Sequence, residues 1–194
     1  TPAAEEAWSM TRKLYDLAPT WTPIFFSNHE LAPWHGGCAW IFQTSESSPL
    51  GALFQLRRVF KNKHSFLGIY KRKVLLAHEA VHVARMAFEE PKFEELIAYQ
   101  TSDNILHKYL GSFVETSKEA ALFVLALFMI AAINIGTSGF GFMPQWLVWL
   151  NILPLILFVL GLGRVLLRQY QYRRCLQKLS KISNHPHAII CRLT

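Results

Sequence analysis

The sequence has few cysteines and no pattern that would pair them. Three occur among 194 residues, at Cys38, Cys175 and Cys191. An odd number at these spacings fits neither a disulfide framework nor a paired-cysteine zinc motif. An internal repeat, a glycine-rich RNA signature and a basic helix with interleaved base-reading residues are also missing. The net charge of +7 therefore does not indicate a nucleic-acid partner, and we expect none.

The sequence also has a long uncharged stretch, because no Asp, Glu, Lys or Arg occurs between residues 120 and 163. Two apolar runs occupy most of this stretch, at residues 120–135 and 146–163. A helix needs about 20 apolar residues to cross the hydrocarbon core of a bilayer. The runs are too long and too uniformly apolar for a buried hairpin in a soluble domain of this size. They predict a transmembrane helical hairpin in contact with the lipid bilayer.

The basic residues beyond the second run indicate how this hairpin is oriented. Membrane proteins place Lys and Arg preferentially on the cytoplasmic side, and the turn between the two runs has neither. We therefore expect an integral membrane protein with both flanks of the hairpin, and so its C-terminus, in the cytoplasm. The basic residues in question are Arg164, Arg168, Arg173, Arg174, Lys178 and Lys181.

The hairpin divides the chain into three predicted parts. A domain occupies residues 1–117, the transmembrane hairpin residues 118–167 and a basic cytoplasmic segment residues 168–194. The first part mixes strand-like and helix-like patterns, so its fold class is predicted to be α+β.

Within this domain the pattern changes from strands to helices near Tyr70. Partly alternating aromatic stretches predict strands at residues 37–43 and 50–60, joined as a hairpin. Helical periodicity then follows from about Tyr70, and a second helix with an acidic start is predicted at residues 92–110. Shorter elements are predicted as a helix at residues 5–15 and a strand at residues 24–26.

The first of the two longer helices carries the sequence His78-Glu79-Ala80-Val81-His82. His78 and His82 are four residues apart, so they lie one turn apart on the same face. Two neutral imidazoles in this arrangement can bind one Zn²⁺. Glu79 lies beside the first histidine, where it can act as general base on a water without being a ligand. The alternative is that the pattern arose by chance and both histidines are buried and bond to the backbone.

A catalytic zinc site has three protein ligands and one open position, so a third ligand is needed. The acidic start of the next helix offers Glu94 and Glu95, and the sequence leaves both open. His107 and His185 are less favoured alternatives.

The combination of HExxH with a downstream glutamate resembles the gluzincin metalloproteases. More narrowly, the run from Glu95 through Ala98 to Tyr99 is similar to the E-x-x-A-D element of the membrane-bound HtpX and CAAX-prenyl protease families. This resemblance covers mainly residues 74–99. Near the C-terminus, His185-Pro186 followed by Arg192 is similar to a second, shorter element of the same families.

The resemblance implies a small zincin-like metalloprotease domain followed by the two-helix hairpin. It makes His78, His82 and Glu95 the zinc ligands, with Glu94 as the alternative, and Glu79 the general base. Because Tyr99 replaces the family's Asp, the carboxylate that orients a ligand histidine is either missing or supplied by another residue.

Two further expectations concern catalysis and substrate binding. Tyr99 could stabilise an oxyanion, or it could be a buried tyrosine that only hydrogen-bonds. The resemblance also implies an edge strand, at residues 37–43 or 50–60, to which an extended peptide substrate adds.

These patterns lead to one main functional hypothesis and two alternatives. The main one is a membrane-anchored zinc metalloprotease that uses Glu79 to cut a peptide or protein near the membrane. The first alternative is a zincin-like membrane protein that binds or signals without cleaving. The second is a membrane-hairpin scaffold in which the HExxH pattern is accidental.

Overall fold

The computed structural model of the chain describes residues 2–88, 91–113, 117–139 and 145–193. These residues form an α+β fold, as predicted, with two long apolar helices towards the C-terminus. The strands are β1 (Ile24–Phe26), β2 (Gly37–Phe42), β3 (Gly51–Leu56), β4 (Ser65–Phe66) and β5 (Tyr70–Lys71). The helices are α1 (Pro2–Tyr15), α2 (Arg72–Arg85), α3 (Pro91–Tyr99), α4 (Ile105–Leu110), α5 (Ser117–Gly139), α6 (Trp146–Leu179) and α7 (Pro186–Cys191).

A three-stranded sheet and α1 pack against α2 and hold it in place. Strand β3 is central, parallel to β1 and antiparallel to β2. Full burial of each large apolar side chain in this core contributes roughly 1.5–3 kcal/mol. The side of α2 that carries Leu76 and Ala80 is buried in this core. The core residues include Trp8, Phe54, Leu56, Phe60, Leu76 and Ala80.

The prediction of a single helix at residues 92–110 is wrong, because the chain forms two helices there. Helix α3 ends at Tyr99 and α4 begins at Ile105. Thr101 donates its hydroxyl to the carbonyl oxygen of Ala98 at 2.7 Å, which satisfies an acceptor at the end of α3. Asn104 caps α4 by accepting from the backbone N–H of Leu106 at 2.9 Å. These side-chain bonds compete with helical ones and explain the break.

Helices α5 and α6 are both long and apolar enough to cross a membrane. They contain the predicted runs, 120–135 and 146–163, and extend beyond them. Their most apolar windows are 0% and 6% buried, so the apolar side chains face outwards. Part of the predicted turn, residues 140–144, lies outside the described residues, as do Glu89 and Glu90 of the predicted acidic helix start.

Polar contacts join the two long helices at two levels. Asn134 Nδ2 donates to Asn151 Oδ1 at 2.7 Å, and Asn151 Nδ2 donates back to Asn134 Oδ1 at 3.2 Å. Nearer the domain, Arg164 Nη1 lies 3.3 Å from Glu119 Oε1. Because Arg164 and Glu119 flank the uncharged segment, their ion pair marks the level at which both helices leave the domain.

The C-terminal part of α6 belongs to the domain core. The helix continues to Leu179 without a break, so the predicted boundary between residues 167 and 168 falls inside it. Tyr172 of α6 and Cys191 of α7 are buried together with Tyr15 of α1. The hydroxyl of Tyr15 donates to the carbonyl oxygen of Ile97 at 2.7 Å, which links α1 to α3.

Two arginines fasten α7 to the rest of the domain. Arg85 of α2 is only 2% exposed and donates from Nη1 to the carbonyl oxygen of Cys191 at 2.7 Å. Arg192 donates to the carbonyl oxygens of Tyr15 and Asp16, each at 3.0 Å. The C-terminal residues thus hold the ends of α1 and α2.

We expect Arg85→Met to lower the free energy of unfolding by roughly 1–3 kcal/mol, because buried carbonyl oxygens at the end of α7 lose their donor. Thermal unfolding of the detergent-purified protein measures this change. Arg58→Met is the control, since Arg58 is exposed and its replacement should have little effect. Equal stability of the two variants would contradict the role assigned to α7.

Candidate metal centre

Helix α2 turns its histidine face towards α3. The rings of His78 and His82 lie one turn apart, with centroids 4.9 Å from each other. Their side chains are only 14% and 15% exposed. The buried side of α2 packs on the sheet and α1, which leaves this face to receive side chains from α3.

Three candidate ligand residues converge between the two helices. His78 Nε2 and His82 Nε2 lie 3.2 Å apart. Glu95 Oε2 lies 3.5 Å from His78 Nε2, and its other carboxylate oxygen, Oε1, lies 3.4 Å from His82 Nε2. In a tetrahedral site with bonds of about 2.0–2.1 Å, neighbouring ligand atoms are about 3.3–3.4 Å apart. The group of His78, His82 and Glu95 could therefore hold a metal ion.

Glu94 occupies a different position from Glu95. Its Oε1 lies 2.7 Å from Nδ1 of His82, on the side of the ring away from His78 and Glu95. A carboxylate at this nitrogen holds the proton on Nδ1 and leaves Nε2 as the metal-binding atom. Glu94 thus lies where a carboxylate can orient the ring of His82.

The histidine and carboxylate groups of the site alter each other's pKa. Burial opposes the charged form of His82, but the bond to Glu94 and the charges of Glu79, Glu95 and Glu94 outweigh it and raise the pKa of His82 to about 9. Burial likewise opposes ionisation of Glu95, yet His78 and His82 together lower its pKa. A metal ion that binds at neutral pH must therefore displace a proton from His82.

Glu79 lies beside this group in a cavity of about 460 Å³ that His78 and Glu95 also line. Glu79 is buried, with only 8% of its surface exposed. Cys38 of β2 lies nearby, and burial together with the charge of Glu79 raises the pKa of its thiol to about 11. Cys38 is therefore a neutral thiol at physiological pH and a poor competitor for metal.

Tyr99 lines the same cavity and packs against His78, with ring centroids 4.5 Å apart. Burial and the charge of Glu95 raise its pKa, so it is a neutral phenol that can donate a hydrogen bond. Gly111 makes room for this ring, because a Cβ at that position would lie only 2.3 Å from a Tyr99 ring carbon.

Several cavity residues were not predicted from the sequence. Trp34, His35, Gly36 and Gly37 line it, and none of them was among the predicted site residues. The two glycines are required by close packing: a Cβ on Gly36 would lie 2.9 Å from Leu75, and one on Gly37 2.4 Å from a backbone oxygen. Such long-range contacts leave no local signal in the sequence.

The two histidines considered as alternative ligands lie apart from the converging atoms. His107 lines the cavity but is not part of the metal-binding group, and His185 is at the start of α7. No family model, curated protein or solved structure matches the chain. The chemistry of the site is therefore inferred from its own residues.

We expect Glu94→Ala to weaken Zn²⁺ binding about 10- to 100-fold, because His82 loses the carboxylate that orients it. Glu95→Ala should weaken binding further, since it removes a ligand atom. Competition titration against a chromogenic chelator measures both affinities. Glu46→Ala, at an exposed loop position, is the control. A larger loss with Glu94→Ala than with Glu95→Ala would reverse the two roles.

Proposed function

We propose that the protein is a membrane-anchored zinc metalloprotease that hydrolyses peptide bonds in a peptide or protein substrate near the membrane. The observation that carries the proposal is the convergence of His78, His82 and Glu95, whose ligand atoms lie within 4.8 Å of one another beside Glu79. Three such ligands leave one coordination position open, which is typical of catalytic rather than structural zinc sites.

The donor set favours zinc over other divalent ions. Calcium and magnesium prefer oxygen ligands alone, whereas two imidazoles with one carboxylate suit zinc. When bound, zinc would acidify a water and polarise the substrate carbonyl. His82, oriented by Glu94, and His78 would hold the ion together with Glu95.

Glu79 and Tyr99 have separate roles in this proposal. Glu79 accepts a proton from the attacking water and can later return it to the leaving amine. Its burial keeps bulk water from competing for that proton. Tyr99 remains a neutral phenol and can donate to the oxygen that becomes negative as the carbonyl is attacked.

Strand β2 is the better placed of the two predicted substrate strands. The predicted stretch 50–60 contains β3, which is central and paired on both sides, so it cannot accept a further strand. Strand β2 is at the edge of the sheet, and its first residue, Gly37, lines the cavity. An extended peptide that pairs with β2 would therefore lie close to Glu79.

The placement of charge supports a cytoplasmic site. Arg164 and the basic residues of α6 beyond it lie on the domain side of the apolar segment. By the positive-inside preference the domain and the C-terminus are then cytoplasmic. The ion pair of Arg164 with Glu119 joins the domain ends of the two apolar helices.

We expect Glu79→Gln to keep bound metal but to lower peptide hydrolysis by about 10²- to 10⁴-fold, because the water loses its general base. Substrates can be sought by sequencing protein N-termini in membranes from cells that express either form. The wild-type protein should generate new N-termini that the variant does not.

Two results would separate this proposal from its alternatives. Identical N-termini with both forms, each carrying metal, would favour a protein that binds without cleaving. Identical N-termini together with no bound metal would favour the membrane scaffold. Glu46→Gln serves as the control for loss of a carboxylate outside the cavity.

A further inference from the structure

Helix α4 presents an apolar face that the described part of the domain does not cover. Four of its six residues are large and exposed, at 69% for Ile105, 65% for Leu106, 41% for Tyr109 and 43% for Leu110. Positions one, two, five and six of a helix fall on one side of it. Exposed apolar faces of this kind on soluble surfaces usually mark an interaction site.

The position of α4 along α6 indicates what covers this face. Gln169 Nε2 donates to the carbonyl oxygen of Lys108 at 2.9 Å, and Arg173 contacts the hydroxyl of Tyr109. Gln169 and Arg173 lie about 8 Å and 14 Å along the helix beyond Arg164. The polar zone of a bilayer is roughly 5–8 Å thick on each side of the hydrocarbon core. Helix α4 thus lies at the outer edge of the headgroup region, with its contact to Gln169 at that edge and its contact to Arg173 beyond it.

The turn between β4 and β5 extends the same apolar surface. Leu67 and Ile69 are 60% and 56% exposed, and Leu67 has φ of 53°, a left-handed conformation that side-chain-bearing residues adopt only at a cost. Lys71 at the base of this turn bonds Asp103, just before α4, at 2.9 Å. Ile69 also lines the catalytic cavity together with Ala120, near the start of α5.

We propose that the apolar face of α4 and the β4–β5 turn together form a lipid-contacting surface that holds the mouth of the cavity at the outer edge of the headgroup region. This surface consists of Leu67, Ile69, Ile105, Leu106 and Leu110. Its occupant is the bilayer, because it adjoins the membrane helices and the basic residues of α6 that follow Arg164. A substrate segment that emerges from the bilayer would then meet the site directly.

The inference rests on insertion of α5 and α6 into the membrane, as proposed above. It is tested with the full chain in nanodiscs of mixed phosphatidylcholine and phosphatidylglycerol. The photo-crosslinking residue p-benzoylphenylalanine replaces Ile105, Leu125 or Ile182 in separate variants. Ile182 is the matched control, being an isoleucine 83% exposed and beyond the end of α6. Leu125 of α5 reports on insertion itself.

Mass spectrometry after irradiation should find lipid adducts at 105 and 125, with several-fold less at 182. If position 125 gives lipid adducts but position 105 gives no more than position 182, the lipid-contacting surface is overturned while insertion of the hairpin still holds. Crosslinks from 105 to protein instead of lipid would also overturn it. A lack of adducts at 125 would overturn membrane insertion and this inference with it, whereas catalysis is tested separately by Glu79→Gln.

Discussion

The contact between α2 and α3 is the constraint on which the whole site depends. It places an ionised carboxylate, Glu95, between two imidazoles in a largely buried position. An unpaired charge there would be costly, so the carboxylate requires positive charge beside it. Without metal a protonated His82 supplies that charge, and in the proposed holoenzyme the metal ion would do so.

Apolar packing also stabilises the contact between α2 and α3. Leu96, Ile97 and Ala98 are buried with Val81 and with Tyr172 of α6. The position of the candidate ligand Glu95 therefore depends on packing against α6. Helix α6 thus contributes both to the packing behind Glu95 and to one of the two long apolar stretches. Loss of packing at Tyr172 would loosen the position of Glu95.

The parts of this structure with a local sequence signal were predictable. The period of α2, the spacing of its histidines and the apolar runs of α5 and α6 all follow from side-chain patterns within a few residues. The split between α3 and α4 was missed because Thr101 and Asn104 act through individual hydrogen bonds that override an apolar pattern.

The remaining differences arise from contacts between distant parts of the chain. The separate positions of Glu94 and Glu95 depend on how α3 packs, since adjacent residues differ in direction by about 100°. The packing of α7 on Arg85 joins residues more than 100 positions apart. No spacing rule reports such contacts, which is why a separate C-terminal segment was expected in place of a part of the core.

The most direct test of the proposed zinc site is elemental analysis of the detergent-purified protein. The variants His78→Ala and Glu95→Ala are measured in parallel. We expect about one zinc per chain, and its loss from both variants while they remain folded. Zinc that is lost with His78→Ala but kept with Glu95→Ala would move the third ligand to another residue. A wild-type protein that binds no zinc even when zinc is supplied would contradict the metal centre altogether.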